Sequence, residues 1–351
     1  MAIARGVRRG PVCRGERVFS ISTKRGPSRV SGCTGNCLIL RGGLIAAPRR
    51  GIPVAMIDNL LTIARRHAET FADADGVART PLPGVTILRQ CRPTPLVYAI
   101  SSPLVALVLQ GRKRVSTGSE SFEFGAGDSL LIGADVPNGS QITRASPGAP
   151  YVSVVVDLDL ALIEQLMTEI EAQAVATGGA VRVGPTDAEV SDTVLRLLRL
   201  LGRPDARPIL CDQLRRELHY WLLVGHHGDA IQGLGVPGSR ARHIARAVDA
   251  LRSRYAETVR VGELARMAGM SVSSFHEHFR AVTSLTPLQF QKQLRLIEAR
   301  RRLLAEGETI SLAAFAVGYE SVPQFTRDYG RFFGSPPGRD LKRTRDGAEA
   351  A

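Results

Sequence analysis

The sequence predicts an α+β chain: a strand-rich half, closed into a β barrel and followed by helices, precedes an all-α half. Three observations carry that expectation. Short alternating apolar segments follow one another from about 84 to 159, separated by Pro, Gly, Asp and Asn. Beyond the stretch 233–241 every patterned segment has helical spacing. Within that helical half, Ser271, Phe275, Phe279, Val282, Ser284 and Pro287 return fifty residues later as Ser321, Phe325, Tyr329, Phe332, Gly334 and Pro337, which marks an internal repeat.

Residues 1–55 carry 11 Lys and Arg against a single Glu and show no apolar period. A segment of that composition buries too little to fold. It is expected to be a disordered basic arm, or an extension upstream of a true start at Met56; its Arg excess also fits an organelle transit peptide. MIDNLLTIARRHAETF, from Met56, then opens an amphipathic helix. Strands are expected at 85–91, 96–100, 104–110, 112–116, 121–124, 129–133, 140–145 and 151–159, and helices at 160–174, 188–202 and 209–225. GLGVPGSRA, 233–241, has the content of a linker. The expected partition is therefore a domain at 56–232, the linker, and a helical domain at 242–345.

The formal net charge of +13 is unevenly spread. Residues 56–238 hold 16 Lys and Arg against 20 Asp and Glu, whereas residues 239–351 hold 19 against 12. A basic helical third beside a mildly acidic middle predicts a polyanionic partner for that third alone, the plain alternative being a solvated Arg-rich surface. Five cysteines, at 13, 33, 37, 91 and 211, are an odd number that fits a reducing compartment better than a disulfide framework. Cys33 and Cys37 lack companion ligands at zinc spacing. No apolar run approaches the ~18 residues that span a bilayer, so the expectation is a cytoplasmic protein without a membrane partner.

Each repeat unit reads as a short helix, a turn at Gly269 or Gly318, and a second helix capped by Ser271 or Ser321. Ser321 and Gln324 match a capping box, and Pro323 falls in the first turn, where its missing N–H is not needed. This is the layout of a helix-turn-helix, whose second helix enters the DNA major groove. With 275, 279 and 282 inward, Val272, Ser273, His276, Glu277 and Arg280 face out. In the second unit Val322, Pro323, Thr326, Arg327 and Gly330 do so. A shared frame with different outward faces suits an asymmetric duplex site. Residues 287–306 carry Phe290, Leu294, Ile297 and Leu304 at helical spacing, and twenty residues at ~1.5 Å each give a rod of ~30 Å. Successive major grooves lie ~34 Å apart, so the rod reaches between two adjacent grooves of double-stranded DNA. Arg295, Arg300, Arg301 and Arg302 on this rod are either phosphate contacts or a solvated face.

The stretch from LARMAGMSVSSFHEHF through ISLAAFAVGYESVPQFTRDYGRFFGSPP resembles the DNA-binding domain of AraC/XylS transcription regulators. The element A-x-x-x-G-Y-E-S-x-x-x-F-x-R-x-Y-x-x-x-F-G-x-x-P carries the resemblance. It implies base contacts from Ser273, His276 and Glu277 in one unit and from Val322, Pro323, Thr326 and Arg327 in the other, with Arg280 and Ser321 beside them. Arg327 is the foremost candidate, because Arg bidentate to guanine is the commonest specific contact. Two departures stand out: relatives usually carry a basic residue where Glu277 stands, and a Gly is common where Ser284 stands. A carboxylate at 277 repels phosphates but can accept from cytosine N4.

LVALVLQGRKRVSTG (104–118), FGAGDSLLIGADVPNGSQITRASPGAPY (124–151) and VVVDLDLALIEQL (154–166) resemble the N-terminal domain of one branch of the same family, which implies a cupin-like barrel. The two resemblances together imply an effector-responsive transcription regulator, with RNA polymerase and a second copy of the chain as candidate partners. The rivals are a cupin-type enzyme tethered to nucleic acid by its helical half, and a general architectural DNA binder. The seven histidines, 67, 219, 226, 227, 243, 276 and 278, all fall outside the predicted strands. A His-ligated metal is therefore not expected there, and no cofactor or catalytic residue is assigned. Asp128, Asp135, Asp157 and Asp159 read as caps at turns and strand ends, and His226 and His227 as complements to a helix dipole. A small molecule in the barrel is the expected effector, with Cys91, Tyr98, Gln110 and Arg112 as candidate contacts, although a lone cysteine such as Cys91 is more often a small buried hydrophobe.

Overall fold

The computed structural model describes residues 54–118, 120–170, 181–235 and 240–349. The readings of residues 1–53, including Cys13, Cys33 and Cys37, lie outside the described residues. The chain opens with α1 (Val54–Phe71), whose Leu60, Ala64 and Ala68, spaced by four, are buried as one stripe. Nine strands follow: β1 (Val77–Arg79), β2 (Val85–Gln90), β3 (Val97–Ser101), β4 (Leu104–Gln110), β5 (Arg112–Thr117), β6 (Glu120–Gly125), β7 (Asp128–Ile132), β8 (Val136–Arg144) and β9 (Tyr151–Asp157). Next come α2 (Leu160–Glu169), β10 (Val181–Pro185), α3 (Ala188–Arg199), α4 (Arg207–Val224) and α5 (Gly228–Gly235).

The strands form two antiparallel sheets, one ordered β1-β2-β9-β4-β7-β10 and the other β3-β8-β5-β6. All eight predicted strands are present. β8 starts at Val136, earlier than expected, because Pro137, Asn138 and Gly139 imitate a turn yet pair with Ile100, Ala99 and Tyr98 of β3. β1 is only three residues long and β10 stands alone between helices, so neither carried a readable period. The larger sheet is buried on both faces. Val152, Val154 and Val156 of β9 turn toward α1 to α5, while Tyr151 belongs to the core between the sheets with Val108, Val115, Phe124 and Ile142. A strand covered on both sides reads as a near-continuous apolar run, as YVSVVV does.

The helical half comprises α6 (Arg240–Ser253), α7 (Val261–Met267), α8 (Val272–Thr283), α9 (Pro287–Arg301), a π-helical turn Arg302–Glu306, α10 (Ile310–Ala316), α11 (Val322–Phe333) and α12 (Pro337–Glu349). The linker reading at 233–241 is corrected at both ends: 233–235 finish α5 and Arg240 begins α6, and residues 236–239 are outside the described set. The two halves also touch. The Tyr98 ring stands 4.5 Å from Phe332 and 5.1 Å from Phe333, and its hydroxyl donates to Phe332 O at 3.2 Å. Arg252 pairs with Asp135, and Arg242 Nη1 with Glu164 Oε2 at 2.6 Å.

Candidate nucleic-acid interface

The first helix-turn-helix is α7 and α8. Leu264, Ala265 and Ala268 are buried, and Gly269, at φ +64°, turns the chain so that Met270 N reaches Ala265 O at 2.9 Å. Positive φ is inexpensive only for glycine, which is why the turn needs it. Ser271 Oγ accepts from Ser274 N at 3.3 Å and starts α8. Phe275 and Phe279 are fully buried, with centroids 5.4 Å apart, and Phe279 meets Phe290 of α9 edge-on at 5.5 Å. Val272, Ser273, His276, Glu277 and Arg280 are all exposed. Ser284 ends α8 at φ +59°, a left-handed conformation its counterpart Gly334 adopts without the steric cost of a Cβ.

The second unit repeats the construction with α10 and α11. Gly318 stands at φ +84°, and Tyr319 N reaches Ala314 O at 3.0 Å, matching the bond made by Met270. Phe325 and Tyr329 are fully buried and Phe332 half-buried. Pro323 and Arg327 are exposed, while Ser321, Val322, Thr326 and Gly330 are half-buried, so the second face offers fewer exposed side chains than the first. The predicted Ser321–Gln324 capping box does not form: Ser321 has extended backbone but its side chain makes no capping bond. Pro323 removes one of the two amides an N-cap oxygen can reach. The box appears instead at α9, where Gln289 N donates to Thr286 Oγ1 at 3.3 Å and Thr286 N to Gln289 Oε1 at 3.0 Å.

α9 with its π turn spans 287–306 and connects the units. Its buried stripe is Phe290, Leu294, Leu296, Ala299 and Leu303, with Ile297 and Leu304 half-buried, a small rotation from the expected face. The four arginines divide: Arg295 is gripped by backbone carbonyls, whereas Arg300, Arg301 and Arg302 pair with carboxylates, Arg301 on an exposed face as the solvated reading expects. Arg295 donates to Tyr255 O at 2.7 Å, Gly318 O at 2.8 Å, Glu257 O at 2.9 Å and Ala256 O at 3.2 Å. Arg300 donates to Asp340 at 2.8 Å, Arg301 to Glu298 at 2.7 Å and Arg302 to Glu308 at 3.1 Å. Asp340, 1% exposed, also accepts from the Tyr329 hydroxyl at 2.9 Å and Arg343 at 3.0 Å. Burial pushes its carboxyl up, but the bonds from Arg300 and Tyr329 hold it below the usual carboxylate range.

Arg295 and Gly318 meet at one place. A Cβ on Gly318 would fall 1.9 Å from Ala256 O, so the second unit's turn lies directly on the 255–257 backbone that Arg295 grips. The relative setting of the two reading helices is thus fixed by backbone contacts, and Lys292 adds an ion pair at 2.6 Å to Asp328 of α11. Arg280, Arg327, Arg331 and Arg339 are exposed and, among the described residues, none is ion-paired. With Arg246, Arg260, Arg266 and Lys342, likewise exposed and without an ion pair among the described residues, they are the cations available to phosphates or bases.

The four candidate effector contacts are not brought together. Tyr98 is spent against Phe332 and Phe333, Arg112 is exposed on the outer side of β5, and Cys91 is partly exposed beyond the end of β2. Gln110 alone turns inward, with its Oε1 enclosed and unpartnered. Asp128 accepts from Gly125 N at 2.9 Å and Asp159 caps α2 through Leu162 N at 3.0 Å, as expected of caps, whereas Asp135 pairs with Arg252 of α6. The dipole role for His227 is corrected. It lies beyond α4, 3% exposed, with Nε2 2.9 Å from Ser129 Oγ of β7, and burial, helped by nearby His226 and Arg182, lowers its pKa to about 4. Among the described residues no three His, Cys, Asp or Glu side chains group as metal ligands, and no helix is long and apolar enough to cross a membrane.

Two family models match the chain: the AraC-type transcriptional regulator N-terminus over residues 81–230 and a helix-turn-helix domain over 264–343. The transcriptional activator RhaS of Pectobacterium carotovorum is 29% identical over 100 residues, 28% of this chain and 36% of RhaS. The match therefore spans about a third of that relative. The virulence regulon activator VirF of Yersinia enterocolitica is 23% identical over 239 residues, 66% of this chain and 86% of VirF. Among solved structures, ToxT of Vibrio cholerae bound to a naphthalenyl-butenoic acid is similar at 11% identity and a TM-score of 0.49, covering 73% of this chain and 97% of ToxT.

Proposed function

The chain belongs to the AraC/XylS family of regulators with an AraC-type N-terminal domain, and from that premise we propose that it is a sequence-specific transcription regulator reading two adjacent major grooves of double-stranded DNA. The observation that carries this reading is the pair of helix-turn-helix units that share a buried aromatic frame and differ at their outward positions. One unit offers Ser273, His276, Glu277 and Arg280, the other Val322, Pro323, Thr326 and Arg327. Two identical faces would suit a repeated site; two different faces, held apart on one helix, suit two different boxes. The N-terminal sheets are the sensing part, and their state reaches α11 through Tyr98, whose ring and hydroxyl engage Phe332.

Selection of bound duplexes from a random pool, with the full chain, tests the reading. Two dissimilar short boxes about one helical turn apart are expected. Enrichment of a single palindrome, or of no sequence at all, would remove the basis for bipartite readout.

A further inference from the structure

Between α1 and the end of α3 lies a groove of about 500 Å3 that the described residues leave open. α1 carries two stripes spaced by four. Leu60, Ala64 and Ala68 are buried in the core, while Ile63, His67 and Phe71 line the groove, where Leu198 and Leu201 complete an apolar floor. Phe71, the last residue of α1, is 62% exposed, and its ring lies 4.7 Å from that of His67. A single exposed apolar residue is ordinary, but Phe71 continues an apolar groove. The rim is basic. Arg66, Arg199 and Arg203 line it, all three exposed and, among the described residues, without an ion pair. No Asp or Glu is part of the lining, and Glu69 on the same helix turns instead to Arg65 and Arg89. This reverses the local sign, since residues 56–238 hold 20 Asp and Glu against 16 Lys and Arg.

An apolar floor under a cationic rim selects among occupants. Duplex DNA would satisfy the arginines but has no apolar ridge to cover Ile63, Phe71 and Leu201. The same groove of a second copy would set three arginines against three. A small molecule would stay largely wet, because the groove is open on the side that Phe71 and Arg203 border. A helix with an apolar stripe between carboxylates meets every requirement. Its side-chain ridge lies into the groove beside the i, i+4 row of α1, and its carboxylates reach the guanidinium groups on either side.

We propose that the groove between α1 and α3 is a docking site for an acidic amphipathic helix of a partner protein. The test is fluorescence anisotropy of a labelled synthetic peptide titrated with the full chain. The probe has about 16 residues, enough to hold helical structure, with a stripe of Leu at helical spacing and Glu on both flanks. One control has the same composition in scrambled order, and another carries Lys in place of every Glu. The acidic helix is expected to bind and both controls to fail. Phe71→Ala, Arg66→Glu and Arg203→Glu, all at exposed positions, should each weaken binding by at least about tenfold. The double variant Arg66→Glu, Arg203→Glu should take up the Lys peptide instead, an exchange of preference that misfolding cannot produce. The proposal is overturned if the acidic helix does not bind, if the scrambled peptide binds as tightly, if Phe71→Ala keeps wild-type affinity, or if the double variant keeps the wild-type preference. Vesicles of phosphatidylcholine and phosphatidylglycerol are tested alongside: binding to them that Phe71→Ala abolishes, with no peptide binding, would assign the groove to a membrane surface and overturn the protein partner. No DNA enters these titrations, so duplex selection tests the regulator reading on its own.

Discussion

Replacing Arg295 with Lys should loosen the second helix-turn-helix from the first while keeping the charge. The guanidinium donates to four backbone carbonyls at 2.7–3.2 Å, three in the 255–257 segment and one at Gly318. Lys has the charge but not the planar fork, and from one side chain it reaches one or two of the four. A hydrogen bond from a charged group contributes about 1.5–3 kcal/mol. The site is half-exposed, so water replaces part of what is lost, and two bonds lost at the lower figure amount to about 3 kcal/mol. Hydrogen exchange of peptides covering 310–333 reads this local opening directly, and about 3 kcal/mol corresponds to roughly hundredfold faster exchange. The same change should leave binding to a single box intact and remove at least about tenfold of the affinity gained from the second box. Exchange within about threefold of wild type, with the full gain from the second box, would refute the assignment of Arg295 as the brace between the units.

Three further outcomes follow from the same geometry. Gly318→Ala places a Cβ 1.9 Å from Ala256 O at φ +84°, so left-handed strain and a backbone collision together should cost about 3 kcal/mol or more; calorimetric melting at the wild-type temperature would contradict this. Arg327→Ala should weaken binding to the selected duplex by about 1–3 kcal/mol and relax preference at one base pair, measured by titration of single-substitution duplexes. His227 is held neutral with a pKa near 4 against 6.5 for the free group. The unfolded chain therefore takes up this proton first as pH falls, and stability should drop by about 3 kcal/mol between pH 6.5 and 4. His227→Gln should flatten that part of the stability profile, and parallel melting curves for the two proteins across the range would show that another group is responsible.

The repeat was readable because both units bury the same aromatic frame at the same spacing, and the structure exposes most of the outward positions that spacing left over. The eight main strands were readable because turn residues bracket them. What escaped had a physical reason in each case. β10 is short, separated from its partner β7 by β8, β9 and α2, and formed by long-range pairing that no local period records. Arg295 looked like a surface residue because its acceptors, Gly318 O and the 255–257 carbonyls, are distant in sequence and backbone rather than acidic. Tyr98 looked like a cavity residue because strand position alone does not say that Phe332 will come to lie on it.

The claim that one rigid helix holds two different reading heads is tested most directly by spacing. Take the selected two-box duplex and insert about five base pairs, half a helical turn, between the boxes. A braced pair of helices cannot follow the second box to the opposite side of the duplex, so affinity should fall to that of a single box. If the lengthened duplex binds as tightly as the original, the two units move independently and the account of α9, Arg295 and Gly318 as a fixed spacer is wrong.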